Sequence, residues 1–271
     1  MFLNYKKSLK EDNILIRVVS KNGKEMKVPY GWVITFSYIN SYANKNISNL
    51  SLTKDGISFN YKNHFVMIDP SRFSGLLAVF FTEDYNFLQV KDQDVIDVGM
   101  NMGDSAIYFA LNGAKRVIGL EPCPYAFSYA EKNIKLNNFN NIIPLNAGYG
   151  KDSKILVDDK KLISNTQISI SNSGKEIPIY SLKTLLKMYK IKNAIVKMDC
   201  EGCEYDLLEE DDETLKSIEM FQIEYHYGYS DLVEKLKKAG FYVEYTEPEY
   251  SYNIYAENPK MLVGYIYAKR I

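Results

Sequence analysis

From residue 91 onward, short apolar runs rich in β-branched residues alternate with longer segments whose apolar positions recur every three or four residues. Residues 95–98, 116–120, 142–146, 193–198 and 220–225 are runs of the first kind and read as buried strands. Residues 105–111, 124–137, 181–189 and 231–239 are of the second kind and read as helices. Their ends carry the expected signals: Asn112-Gly113 as a stop, Pro124 in a first turn, and Gly240 after the last helix. Such alternation predicts a three-layer, Rossmann-like α/β fold, with a mostly parallel sheet covered by helices on both faces. Residues 241–245 and 262–268 are strand-like with no helical pattern between them. An antiparallel strand therefore finishes the sheet.

Residues 1–90 follow a different pattern. Segments 14–19, 25–28 and 31–37 read as strands, the first two joined at Asn22-Gly23, a hairpin signal. Segments 56–61 and 64–68 read as a second pair around Lys62-Asn63, Asp69-Pro70 as a turn, and 73–81 as a helix. Two parts are expected: a small mixed unit over 1–90 and the α/β domain over 91–271. Within the latter, 154–157 and 167–170 read as an inserted hairpin.

Composition narrows the classes. A hydrophobic share of 46% with 25% charged residues fits a soluble globular chain. No apolar run approaches the roughly 20 residues of a membrane span, and residues 1–12 lack the apolar core of a secretory signal. With 33 basic and 34 acidic residues, no broad electrostatic hold on nucleic acid is indicated. Three cysteines make no disulfide framework and fit a reducing cytoplasm, so a cytoplasmic protein is expected.

The candidate chemistry centres on residues 94–121. A strand ends at Gly99, a turn of small residues reaches Gly103, a helix follows, and the next strand ends at Glu121-Pro122. This is the layout of a nucleotide-type cofactor site. A dinucleotide site would carry Gly-x-Gly-x-x-Gly, but here Asn101 replaces the second glycine and Asp97 precedes the turn. A carboxylate there sits poorly beside two phosphates. It suits the ammonium of S-adenosyl-L-methionine, a cofactor without phosphate, and Glu121 is placed to accept from ribose hydroxyls.

Three stretches also resemble a known family. Residues 95–105 (Val-Ile-Asp-Val-Gly-Met-Asn-Met-Gly-Asp-Ser), 118–124 (Ile-Gly-Leu-Glu-Pro-Cys-Pro) and 197–209 (Lys-Met-Asp-Cys-Glu-Gly-Cys-Glu-Tyr-Asp-Leu-Leu-Glu) look like successive motifs of FkbM-type methyltransferases. The similarity runs from about residue 80 to 230, and the last motif is the most specific. It implies a class I methyltransferase that uses S-adenosyl-L-methionine, usually on a hydroxyl oxygen. At matching positions, the resemblance assigns Asp97, Gly99, Asn101 and Gly103 to the methionine portion and Glu121 to the ribose. It places Asn146 and Ala147 at the adenine edge and Asp199 beside the transfer centre. Ser105 and Pro122, within these motifs, complete the expected cofactor set. Met100 and Cys203 depart from the pattern, where small residues are usual.

A hydroxyl acceptor needs a base as the new bond forms. Asp199, Glu201 and His226 are the candidates, because parallel strands gather their C-terminal ends at one rim. Lys197 neutralises acids there, and Glu224 shares a strand face with His226. Each has a plainer alternative: His226 as a hydrogen-bonding core residue, and Glu201 as a cap on the next helix. Cys200 and Cys203 lack further zinc ligands and read as ordinary thiols. Tyr225, Tyr227 and Tyr229 are half-buried strand positions or an acceptor lining, and residues 209–213 a solvated helix start. A cation on Asp199, Glu201 and Glu224 is possible chemistry, but no metal is required. The expected acceptor is a small molecule or sugar, with no membrane partner. RNA or protein methylation, or non-catalytic cofactor binding, are the alternatives.

Overall fold

In a computed structural model describing residues 14–19, 22–42, 45–70, 75–157, 174–252 and 260–271, the chain forms two units. One is Met1–Asp84 with Lys132–Asn138, and the other is Tyr85–Glu131 with Phe139–Ile271.

In the first unit, β1 (Leu15–Val19) and β2 (Glu25–Pro29) pair antiparallel across a turn where Gly23 has φ 81°. Residues 31–37, expected as a strand, instead lie in helix α1 (Tyr30–Ile39). The helical period decides this. Trp32 and Ile39, seven apart, are both buried, whereas Ile34 and Tyr38 are more than half exposed. Strands β3 (Ile47–Leu52), β4 (Ile57–Tyr61) and β5 (His64–Ile68) form an antiparallel sheet. Only β3 was unreadable beforehand, because serine and asparagine interrupt its apolar pattern. Of the helix expected over 73–81, Leu77–Phe81 forms a π-helical turn, while 71–74 lie outside the described residues. Phe80 packs edge-on against Phe59, with ring centroids 5.1 Å apart.

The second unit is built on β6 (Asp94–Val98), α2 (Asp104–Leu111), β7 (Arg116–Leu120), α3 (Pro124–Leu136) and β8 (Ile142–Leu145). The C-terminal turns of α3 belong to the first unit, where the Asp69 and Met67 N–H groups donate to Asn133 and Asn137 at 2.8 and 2.9 Å. Next come β9 (Gly148–Tyr149), β10 (Ser153–Val157) and β11 (Lys175–Tyr180). The expected hairpin partner at 167–170 lies outside the described residues; β10 pairs antiparallel with β11. Helix α4 (Leu182–Tyr189), capped by Ser181, leads to β12 (Ala194–Met198). A 3₁₀ segment, Cys203–Glu209, stands where a helix was expected, followed by α5 (Asp212–Lys216) and β13 (Ile218–Tyr225). Helix α6 (Ser230–Lys238) and strands β14 (Phe241–Tyr245), β15 (Glu249–Tyr252) and β16 (Lys260–Arg270) close the chain.

The main sheet runs β14-β16-β13-β12-β6-β7-β8. From β13 to β8 neighbours are parallel, while β16 inserts antiparallel between β13 and β14. This is the expected α/β sheet with its antiparallel finish. β6 and β12 are buried at every position, as central strands covered on both faces must be. Fully burying a side chain such as Ile96 or Val196 contributes about 1.5–3 kcal/mol.

Candidate active site

The C-terminal ends of β6, β7, β8 and β12 meet at one rim because these strands are parallel neighbours. The turn after β6 presses on the end of β12: a Cβ on Gly99, which has φ 74°, would stand 1.9 Å from the Asp199 carbonyl oxygen. Only glycine fits such an approach. Asn101 also takes a left-handed conformation, with φ 48°. Its N–H donates to Glu121 Oε2 at 3.0 Å, and the Cys123 N–H donates to Oε1 at 2.8 Å. Glu121 is thereby held at the mouth of β7. Burial pushes its carboxyl up to about 8, against the two N–H donors that favour the ionised form.

A cavity of about 230 Å³ opens between these ends. Gly99, Asn101, Glu121, Pro122, Ala147, Asp199 and Glu201 line it, together with Tyr149, Ile179 and both Cys200 and Cys203. Asp97, Gly103 and Ser105 lie behind it. The Ser105 hydroxyl donates to Asp97 Oδ2 at 2.6 Å, and Lys197 Nζ stands 3.1 Å from Oδ1. Lys197 also donates to the Gly99 carbonyl at 2.6 Å. Burial disfavours its charge, but Asp97 and Asp199 outweigh that and raise its pKa. Asn146 does not line the cavity; its amide donates to the carbonyls of Glu121 and Pro122 at 2.9 and 3.2 Å and so fixes that loop.

Beyond the cavity, β12 and β13 end in acids around a histidine. Glu201, with φ 57°, places Oε2 3.8 Å from His226 Nε2. His226 Nδ1 is 2.9 Å from Glu204 Oε1, which also accepts the His226 N–H at 3.0 Å. Glu204 Oε2 accepts the Gly202 N–H at 2.8 Å. Burial alone would lower the histidine's pKa, but Glu204, Glu201 and Asp199 bring it up to about 9. At neutral pH it is then a donor rather than a base. Glu224 is likewise pushed up to about 8 by burial and by Asp199.

The structure brings Glu201, Asp199 and His226 together as expected, and adds residues that were not anticipated. Glu204 is fully buried, a position its charged, turn-rich surroundings did not signal. Tyr85, outside every motif, places its hydroxyl 3.5 Å from Asp199 Oδ2. Cys200 and Cys203 are corrected from free thiols to a disulfide, because the tight turn brings their Cα atoms to 5.5 Å. In the acidic run, Glu210 is not solvated: it is buried and accepts the Leu182 N–H at 2.6 Å. Tyr225, Tyr227 and Tyr229 do not line the cavity.

Among the described residues, no helix is long and apolar enough to cross a membrane. Residues 97–243, more than half of the chain, match the family described as Methyltransferase FkbM domain. The chain is 28% identical over 151 residues to ribosomal protein L11 methyltransferase of Alkaliphilus oremlandii, covering 55% of this chain and 45% of that one. It is 36% identical over 73 residues to protein arginine N-methyltransferase 8-B of Danio rerio, covering 27% and 17%. It thus spans less than half the length of these two curated relatives. A solved structure of M. jannaschii TYW2 in complex with AdoMet aligns over 85% of this chain and 89% of that chain, at 17% identity and a TM-score of 0.41.

Proposed function

This chain belongs to the FkbM methyltransferase family, and on that premise we propose that it methylates a hydroxyl oxygen of a small molecule or sugar. Its cofactor is S-adenosyl-L-methionine, which supplies a methyl group on a cationic sulfur. The observation that carries this reading is the lining of the cavity. Two carboxylates, Asp199 and Glu201, face it beside the Glu121 carboxyl, and among the described residues no lysine or arginine does. Such a surface favours a cation and offers phosphate no counter-charge.

Gly99 and Asn101 take the methionine portion, with Asp97, Gly103 and Ser105 holding the turn from behind. Glu121 accepts from the ribose hydroxyls. Pro122 and Ala147 flank the adenine, and Asn146 fixes their loop. Asp199 stands beside the reacting carbon, where positioning supplies much of the rate. Glu201 takes the acceptor's proton, with His226 beside it.

Calorimetric titration with S-adenosyl-L-methionine, S-adenosylhomocysteine and NAD tests the cofactor site. The first two should bind and NAD should not; binding of NAD alone sinks the reading. A second reading, methylation of a protein side chain, draws on the names of the two curated relatives. Labelled-methyl transfer to sugar alcohols and to protein fractions, run side by side, separates the two.

A further inference from the structure

Asp199, Glu224 and His226 each bring one ligand atom to within 4.8 Å of the others. We propose that this trio binds a divalent cation that shares Asp199 with the cofactor cavity and holds the oxygen of the acceptor. The acceptor part rests on the methyl-transfer reading; the cation site does not.

The sheet creates the juxtaposition. β12 and β13 run parallel with Met198 opposite Ile223, so the next residues, Asp199 and Glu224, emerge side by side at the rim. His226 follows Glu224 by two and shares its strand face. Neither Glu224 nor His226 lines the cavity, so the trio is a neighbouring site joined to it through Asp199.

Three further observations favour a cation. First, the buried Glu204 holds His226 Nδ1 at 2.9 Å, leaving Nε2 as the nitrogen available on the side of Glu201. A carboxylate behind the other ring nitrogen is the usual support of a metal-binding histidine. Second, Asp199, Glu201, Glu204 and Glu224 crowd this rim, while the ammonium of Lys197 is engaged by the Gly99 and Val98 carbonyls and by Asp97. Carboxylates gathered in a partly dry site are stabilised by a bound cation. Third, among the described residues no hydrogen bond or ion pair holds the Glu224 carboxylate. Two carboxylates and one imidazole suit a first-row ion such as Mn²⁺ and leave coordination positions open for acceptor oxygens. With metal–ligand bonds of about 2.1 Å, modest side-chain rotation closes the observed span.

The test is titration of Mn²⁺ into the full chain, followed by electron paramagnetic resonance, alongside calorimetry with S-adenosyl-L-methionine on the same samples. One Mn²⁺ per chain is expected, with affinity at least tenfold weaker in both Glu224→Gln and His226→Gln. Thermal melts identify any variant that fails to fold, and Asp199→Asn then replaces it. Absence of Mn²⁺ binding up to millimolar concentration overturns the proposal, as does wild-type affinity in the folded variants. Mn²⁺ binding without binding of S-adenosyl-L-methionine supports the cation site and overturns the functional reading instead.

Discussion

Glu204 accepts two hydrogen bonds from a single residue, His226: one from the backbone N–H at 3.0 Å and one from Nδ1 at 2.9 Å. The carboxylate is fully buried and the imidazole nearly so. Removing one member of such a pair leaves the other charged and unpaired. Glu204→Ala should therefore cost about 3–5 kcal/mol, measured by urea denaturation. A loss below ~1 kcal/mol would mean that the pair is not held in solution as described.

Glu121 gives a pH signature. Its carboxyl is raised from 4.5 to about 8, so between those values the folded chain holds a proton that the unfolded chain has released. The stability from this group is whole below about pH 4.5 and is lost as pH rises through about 8. Glu121→Gln, neutral throughout, should flatten that part of the stability curve. An unchanged slope in denaturant melts across this range refutes the assignment.

The same side chain should govern cofactor affinity. Losing the acceptor for two ribose hydroxyls costs roughly 1–3 kcal/mol, or about 5- to 150-fold in Kd. Calorimetry on Glu121→Ala reads this directly. Wild-type affinity would remove Glu121 from the ribose contact.

At Gly99 the constraint is steric. A methyl group there meets the Asp199 carbonyl at 1.9 Å, and φ is already 74°. The left-handed conformation alone costs a larger residue about 1–3 kcal/mol, before the clash is relieved. Gly99→Ala should lower both the melting temperature and cofactor affinity, since the turn and Asp199 must part. A variant as stable and as tightly binding as wild type would contradict this packing.

The Cys200–Cys203 disulfide closes a loop with a sequence separation of only 3. Loop-closure entropy for so short a ring amounts to about 2 kcal/mol. A reductant should lower the melting temperature of the wild type by a corresponding amount and leave Cys200→Ser/Cys203→Ser unmoved. Equal sensitivity in both would show that the bond contributes nothing.

Periodicity along the chain determined most of the second unit. The runs that became β6, β7, β8, β12 and β13 are apolar at consecutive positions because both sheet faces are covered, and this pattern survives without any neighbour in view. The turn at Gly99 and Asn101 and the carboxylate of Glu121 at a strand end were also legible as local features, since both are written in neighbouring residues. What only the tertiary structure decided depends on contacts between distant segments. α1 follows the helical period, with Trp32 and Ile39 buried seven residues apart, which a β-branched run does not announce. Asp97 lies behind the cavity because Lys197, a hundred residues later, is buried against it. Glu204 reads as one more charge in an acidic turn, and becomes the partner of His226 only when β13 runs alongside β12. Local chemistry is written in neighbouring residues; burial and partnership are properties of the closed sheet.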